Sequence, residues 1–180
     1  MIWSLTGFMG CGKSAVAREL SRRGGFRVYD LDEMIVSAAG RSIPEIFASG
    51  GEAAFRAVER KVLEEFLVRE AAAPGNTVLS LGGGTLTDAE SRRLVQEHTS
   101  CIYLRASLKT LAANLREVGT EGRPLLALKP GQGLEGRIAE LMADRAPIYE
   151  SAAAHIIDTD GKGYAGIADE IVRLTARTSL

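Results

Sequence analysis

The chain has 180 residues, 46% hydrophobic and 25% charged, which is ordinary usage for a folded protein and excludes disordered or collagen-like classes. That length suits one domain, read over 1–180, able to bury a core without staples. Lys and Arg number 22 against 23 Asp and Glu, a formal charge of −1, so no nucleic-acid partner is expected.

Ile2–Leu5 reads as a buried strand, followed by a glycine-rich loop and a helix over Lys13–Arg22. Gly24-Gly25 ends that helix, and Phe26–Asp30 reads as a second strand. Helical segments follow over Leu31–Ala38, Ile43–Ala48 and Ala53–Glu70, punctuated by Gly40 and by Gly50-Gly51. In the longest, Phe55, Val58, Val62, Leu63, Phe66 and Leu67 recur at helical spacing. Pro74-Gly75-Asn76 is a turn, and Thr77–Leu81 is a third strand that runs into Gly82-Gly83-Gly84. Asp88 caps a helix over Ala89–His98, Cys101–Leu104 is a fourth strand, and Ser107 caps a helix to about Arg116. From Glu117 to Gly133, four Gly and two Pro break any period, the mark of a functional or disordered loop. His155–Asp158 is a short fifth strand, and a last helix covers roughly Tyr164–Ala176. No element is assigned between Gly133 and His155.

Cys11 and Cys101 are far apart with no C-x-x-C, and His98 and His155 form no metal-binding pair. The first ten residues lack the charged start and cleavage site of a signal peptide, and no apolar run is long enough for a membrane span. A cytoplasmic protein without a membrane partner is expected.

Strands separated by helices imply a parallel sheet with helices on both faces, whose ligands sit at the carboxyl ends of the strands. Three unusual features fall at such ends: the loop after strand one, Asp30-Leu31-Asp32 after strand two, and the glycine triplet after strand three.

Gly7-Phe8-Met9-Gly10-Cys11-Gly12-Lys13-Ser14 fits G-x-x-x-x-G-K-[ST] between a strand and a helix. Its backbone N–H groups and the helix N-terminus suit phosphate oxygens, Lys13 suits the β- and γ-phosphates, and Ser14 suits Mg²⁺. Nucleoside triphosphate binding follows. Cys11 reads as a small filler in this loop. Strand three carries Ser80 where many such proteins place a metal-associated Asp, so Asp30 and Asp32 are the substitutes on offer. Extended backbone would put both on one face, yet capping of the next helix explains Asp30 and Asp32 equally well. The glycine triplet allows a close backbone approach to a ligand. Arg56, Arg123 and Arg145 have no signal of their own beyond the place of Arg123 in the glycine-rich loop.

Together, GFMGCGKS (7–14), DLD (30–32), SIPEIFASGGEAAFRAVE (42–59), SLGGGT (80–85), RPLL (123–126) and RAPIYESAA (145–153) resemble shikimate kinase, a family of P-loop small-molecule kinases. The resemblance implies a three-layer α/β P-loop NTPase fold, with a five-stranded parallel sheet of order 2-3-1-4-5 flanked by helices. It implies a mobile lid over about 117–133 and a substrate-binding helical segment over about 31–60. It further implies ATP-dependent phosphorylation of the shikimate 3-hydroxyl in aromatic amino-acid biosynthesis, by a monomer using Mg²⁺. ATP would contact Gly10, Cys11, Gly12, Lys13, Ser14, Ala15 and Arg123. Ser14 would hold the metal, with Asp30 behind it. Asp32 would bind ring hydroxyls near the attacking one, and Lys13, Asp32 and Arg123 would be the catalytic set. Arg56 and Arg145 would clamp the shikimate carboxylate beside Gly82, Gly83 and Gly84. Arg116 and Lys162 lie loosely where adenine-flanking residues belong, and Ala15 stands where a second hydroxyl is frequent. A gluconate- or nucleotide-kinase-like enzyme and a non-catalytic nucleotide-binding paralogue are the alternatives. A GTPase switch lacks its N-K-x-D motif.

Overall fold

Strand β1 (Ile2–Thr6) is buried along its whole length, as a central parallel strand covered on both faces must be. It pairs in parallel with β3 (Asn76–Ser80) on one side and β4 (Ser100–Arg105) on the other. β2 (Phe26–Asp30) and β5 (His155–Asp158) form the edges, which gives the expected order β2-β3-β1-β4-β5. This computed structural model describes residues 1–119 and 124–178.

The helices are α1 (Lys13–Arg23), α2 (Leu31–Ala39), α3 (Ile43–Ala71), α4 (Ala89–His98), α5 (Leu108–Val118), α6 (Leu134–Ala152) and α7 (Tyr164–Thr178). Local chemistry sets their ends. Ser42 and Glu45 form a reciprocal capping box at the start of α3, and Asp88 and Ser107 accept from Ser91 N and Thr110 N. α3 is two helical stretches that meet at a kink, as expected at Gly50-Gly51: Gly51 takes a non-helical φ of 67° and ψ of −167°.

α6 has no counterpart among the expected elements. Gly136 and Pro147 lie inside it, and its buried face mixes Ile138 and Tyr149 with a charged Arg145. Most of its residues are good helix formers, but the Gly, the Pro and the buried Arg interrupt the apolar stripe and hide the period. It docks against β4, α5 and the 3-10 turn Thr85–Thr87, and that packing outweighs the local cost of its Gly and Pro. The strand carrying Asp30 ends at that residue, and Asp32 lies in the first turn of α2. The two carboxylates therefore do not share a face of extended backbone.

Candidate active site

A cleft of about 500 Å³ opens at the carboxyl ends of β1, β2 and β3. The loop after β1, the start of α2, the middle of α3 and the Gly82–Gly84 loop all contribute to its wall. Lys13, Ser14, Asp30, Asp32 and Arg56 line it, although they are spread over three separate elements and a cap.

At one end, Gly7, Gly10 and Gly12 take φ of 144°, 86° and 97°. A Cβ on Gly12 would lie 2.6 Å from the Tyr164 ring, so both backbone and space demand glycine there. Val16 N–H is the first in α1 to find a helical carbonyl, Gly12 O at 2.9 Å. The earlier N–H groups, with the positive end of the helix, therefore form an anion-binding end. Lys13 Nζ rests 2.7 Å from Gly7 O and 3.3 Å from Phe8 O. Cys11 is buried with Sγ 3.8 Å from Lys13 Nζ, in the filler position expected of it. Ala15 lines the same end.

Asp30 caps a helix and also sits beside the Ser14 hydroxyl. Its Oδ1 accepts from Asp32 N at 3.0 Å, capping α2, and its Oδ2 accepts from Ser14 Oγ at 3.0 Å. Among the described residues no group of three or more His, Cys, Asp or Glu gathers in metal-binding geometry. A hydroxyl beside one carboxylate fits Mg²⁺, which keeps several waters and takes one or two protein oxygens alongside ligand phosphates.

The other end is built on a buried relay. Arg56 NH1 donates to Glu59 Oε2 at 2.5 Å, and Arg56 NH2 donates to Glu52 Oε1 at 3.1 Å. Glu59 is 1% exposed, and its Oε1 accepts from Thr85 Oγ1 at 2.7 Å. Arg56 Cζ lies 5.2 Å from the Phe55 ring centroid, and its guanidinium borders Gly84 so closely that any side chain there would collide. A Cβ on Gly82 would sit 3.0 Å from Asp32 Oδ1, so the carboxylate packs against that glycine. Desolvation, then the neighbouring Asp30 charge, pushes the Asp32 carboxyl up to about 6, with Lys13 pulling the other way.

Gly82, Gly83 and Gly84 line the cleft, but Arg145 does not. Arg145 sits behind the glycine loop, 6% exposed, with NH1 3.3 Å from Gly83 O and Cζ 5.8 Å from the Phe8 ring centroid. Arg116 pairs with Glu135 and Lys162 with Glu170, and neither lines the cleft. Arg123 lies outside the described residues.

Some contributors carry no obvious sequence signal. Asn114 Nδ2 donates to Gly10 O at 2.8 Å and ties the phosphate loop to α5, with no motif to mark it. Glu59 and Tyr149 were legible only as partners, three residues after Arg56 and four after Arg145.

A family model described as shikimate kinase matches residues 9–176. A shikimate kinase of Chlorobium chlorochromatii is 40% identical over 178 residues, covering 96% of this chain and 90% of its own. One from a strain of Thermus thermophilus is 42% identical over 170 residues, covering 94% and 86%. The structure of shikimate kinase from Acinetobacter baumannii in complex with shikimate superposes with a TM-score of 0.86 at 29% identity, covering 99% of this chain and 94% of that one.

Proposed function

The chain belongs to the shikimate kinase family, and from its site we infer that it transfers the γ-phosphoryl group of ATP to shikimate. The observation that supports this best is a single cleft with a phosphate loop at one end and the Asp32–Arg56–glycine wall at the other. An anionic triphosphate and a small carboxylated triol need those two ends.

ATP lies with its phosphates on the N–H groups of the loop and on Lys13. Ser14 and Asp30 are the residues to hold Mg²⁺, which when bound offsets phosphate charge. Asp32 takes the ring hydroxyls and accepts the proton from the attacking 3-hydroxyl. Arg56, fixed by Glu59, grips the carboxylate. Arg145 does not line the cleft as it stands, so its proposed part in that clamp would need its guanidinium to reach past the Gly83 wall that it now supports. Catalysis is then mainly positioning and charge stabilisation. Among the described residues no helix is long and apolar enough to cross a membrane.

An assay of ADP release with Mg²⁺-ATP and shikimate, gluconate or AMP tests this reading. Turnover with shikimate alone is expected. Turnover of gluconate or AMP instead, or ATP binding with no acceptor turned over, would defeat it. Arg123 keeps its proposed role as the arginine that meets the transferring phosphoryl. Arg123→Ala is expected to lower kcat far more than it raises the shikimate KM, and an unchanged kcat would remove it from that role.

A further inference from the structure

The Gly82–Gly84 wall has no side chains with which to hold its own shape. Its central carbonyl is gripped from behind by two residues one helical turn apart on α6. Arg145 NH1 donates to Gly83 O at 3.3 Å, and the Tyr149 hydroxyl donates to the same oxygen in a short hydrogen bond. Tyr149 is fully buried, its ring 5.2 Å from that of Tyr103, and it does not line the cleft. Burial pushes its hydroxyl above the usual phenol range, so it stays a donor at neutral pH. From the other side Gly83 rests on the phosphate loop, where an added Cβ would come within 3.2 Å of Met9 N.

No peptide bond among the described residues is cis, so the carbonyl of Gly83 and the N–H of Gly84 point in opposite directions within one plane. With the carbonyl turned back toward α6, that N–H is turned toward the cleft. Among the described residues it meets no protein acceptor, and Arg56 lies beside it. We propose that Tyr149 is a positioning residue for the phosphoryl acceptor: its hydroxyl locks the Gly83–Gly84 peptide so that the Gly84 N–H is presented to shikimate beside Arg56. This rests on the reading of the glycine wall as the acceptor end of the cleft. Arg145 alone does not replace it, because a single hydrogen bond leaves the peptide free to rock.

The test is steady-state kinetics of Tyr149→Phe, which keeps the ring and its packing on Tyr103. The shikimate KM is expected to rise about tenfold, the worth of one buried hydrogen bond, while the ATP KM stays within about twofold. Replacement by p-aminophenylalanine, which restores a donor, is expected to recover most of the shikimate affinity. A purely packing role predicts an unchanged shikimate KM in the Phe variant, and that result overturns the proposal. An equal rise in both KM values overturns it too. So does loss of the cooperative melting transition in the Phe variant, since the hydroxyl would then be holding the fold. Failure of the wild-type chain to turn over shikimate would instead defeat the assignment of the acceptor.

Discussion

Asp32→Asn is expected to lower kcat by about three orders of magnitude, as loss of a positioned proton acceptor does. The same variant is expected to melt several degrees higher than wild type at pH 7.5, in buffer free of nucleotide and metal. In the folded protein the Asp32 carboxyl is pushed from its ordinary 3.8 up to about 6, first by desolvation and then by Asp30. Between those values the folded state holds a proton that the unfolded chain has released. The stability this group contributes is present below about pH 4 and is lost as the pH rises through 6. Above that, the crowded charge costs up to about 3 kcal/mol, which an amide of the same shape does not incur. At pH 4 the two proteins should melt nearly together. Thermal scans at the two pH values check the sign, and kcat checks the role. An undiminished kcat would take Asp32 out of the reaction, and a lower melting temperature at pH 7.5 would show that attraction to Lys13 and Arg56 outweighs its desolvation. Asp32 is thus a site where function is held at the expense of stability.

Arg56→Ala is expected to raise the shikimate KM by about two orders of magnitude, the loss of a charge-assisted fork on a carboxylate. The ATP KM should move little. This variant should also lose about 3 kcal/mol of stability, because Glu59 is 1% exposed and would keep its charge without its cation. Arg56→Lys separates the two effects. A lysine leaves Glu59 paired and spares most of the stability, but it presents a point charge where a planar fork is needed. Its shikimate KM should therefore still rise about tenfold. Kinetics with each substrate varied, beside chemical denaturation, read both quantities. Unchanged shikimate affinity in both variants would place the carboxylate elsewhere.

The two predictions depend on the sequence in different ways. The phosphate loop was legible outright, because its function lies in backbone geometry that glycines and one lysine encode within eight consecutive residues. The alternation of strands and helices was legible too, since apolar runs and caps are local. α6 was missed although most of its residues favour helices: its glycine, its proline and its charged buried face mask the period. Asp30 shows the middle case, since capping and a place beside Ser14 were competing readings of one residue until the structure showed both at once.

By itself, then, the sequence determined the order of the elements, the nucleotide-binding loop and the motifs that mark the family. Only the tertiary structure decided that Arg56 is held by a buried Glu59 and that Asp32 is crowded against Gly82. It also decided that Arg145 and Tyr149 grip the acceptor wall from behind. The physical reason is range. Propensity, capping and loop conformation act over a few residues, while desolvation, charge pairing and the aim of a peptide depend on groups tens of residues away that meet only when the sheet has formed.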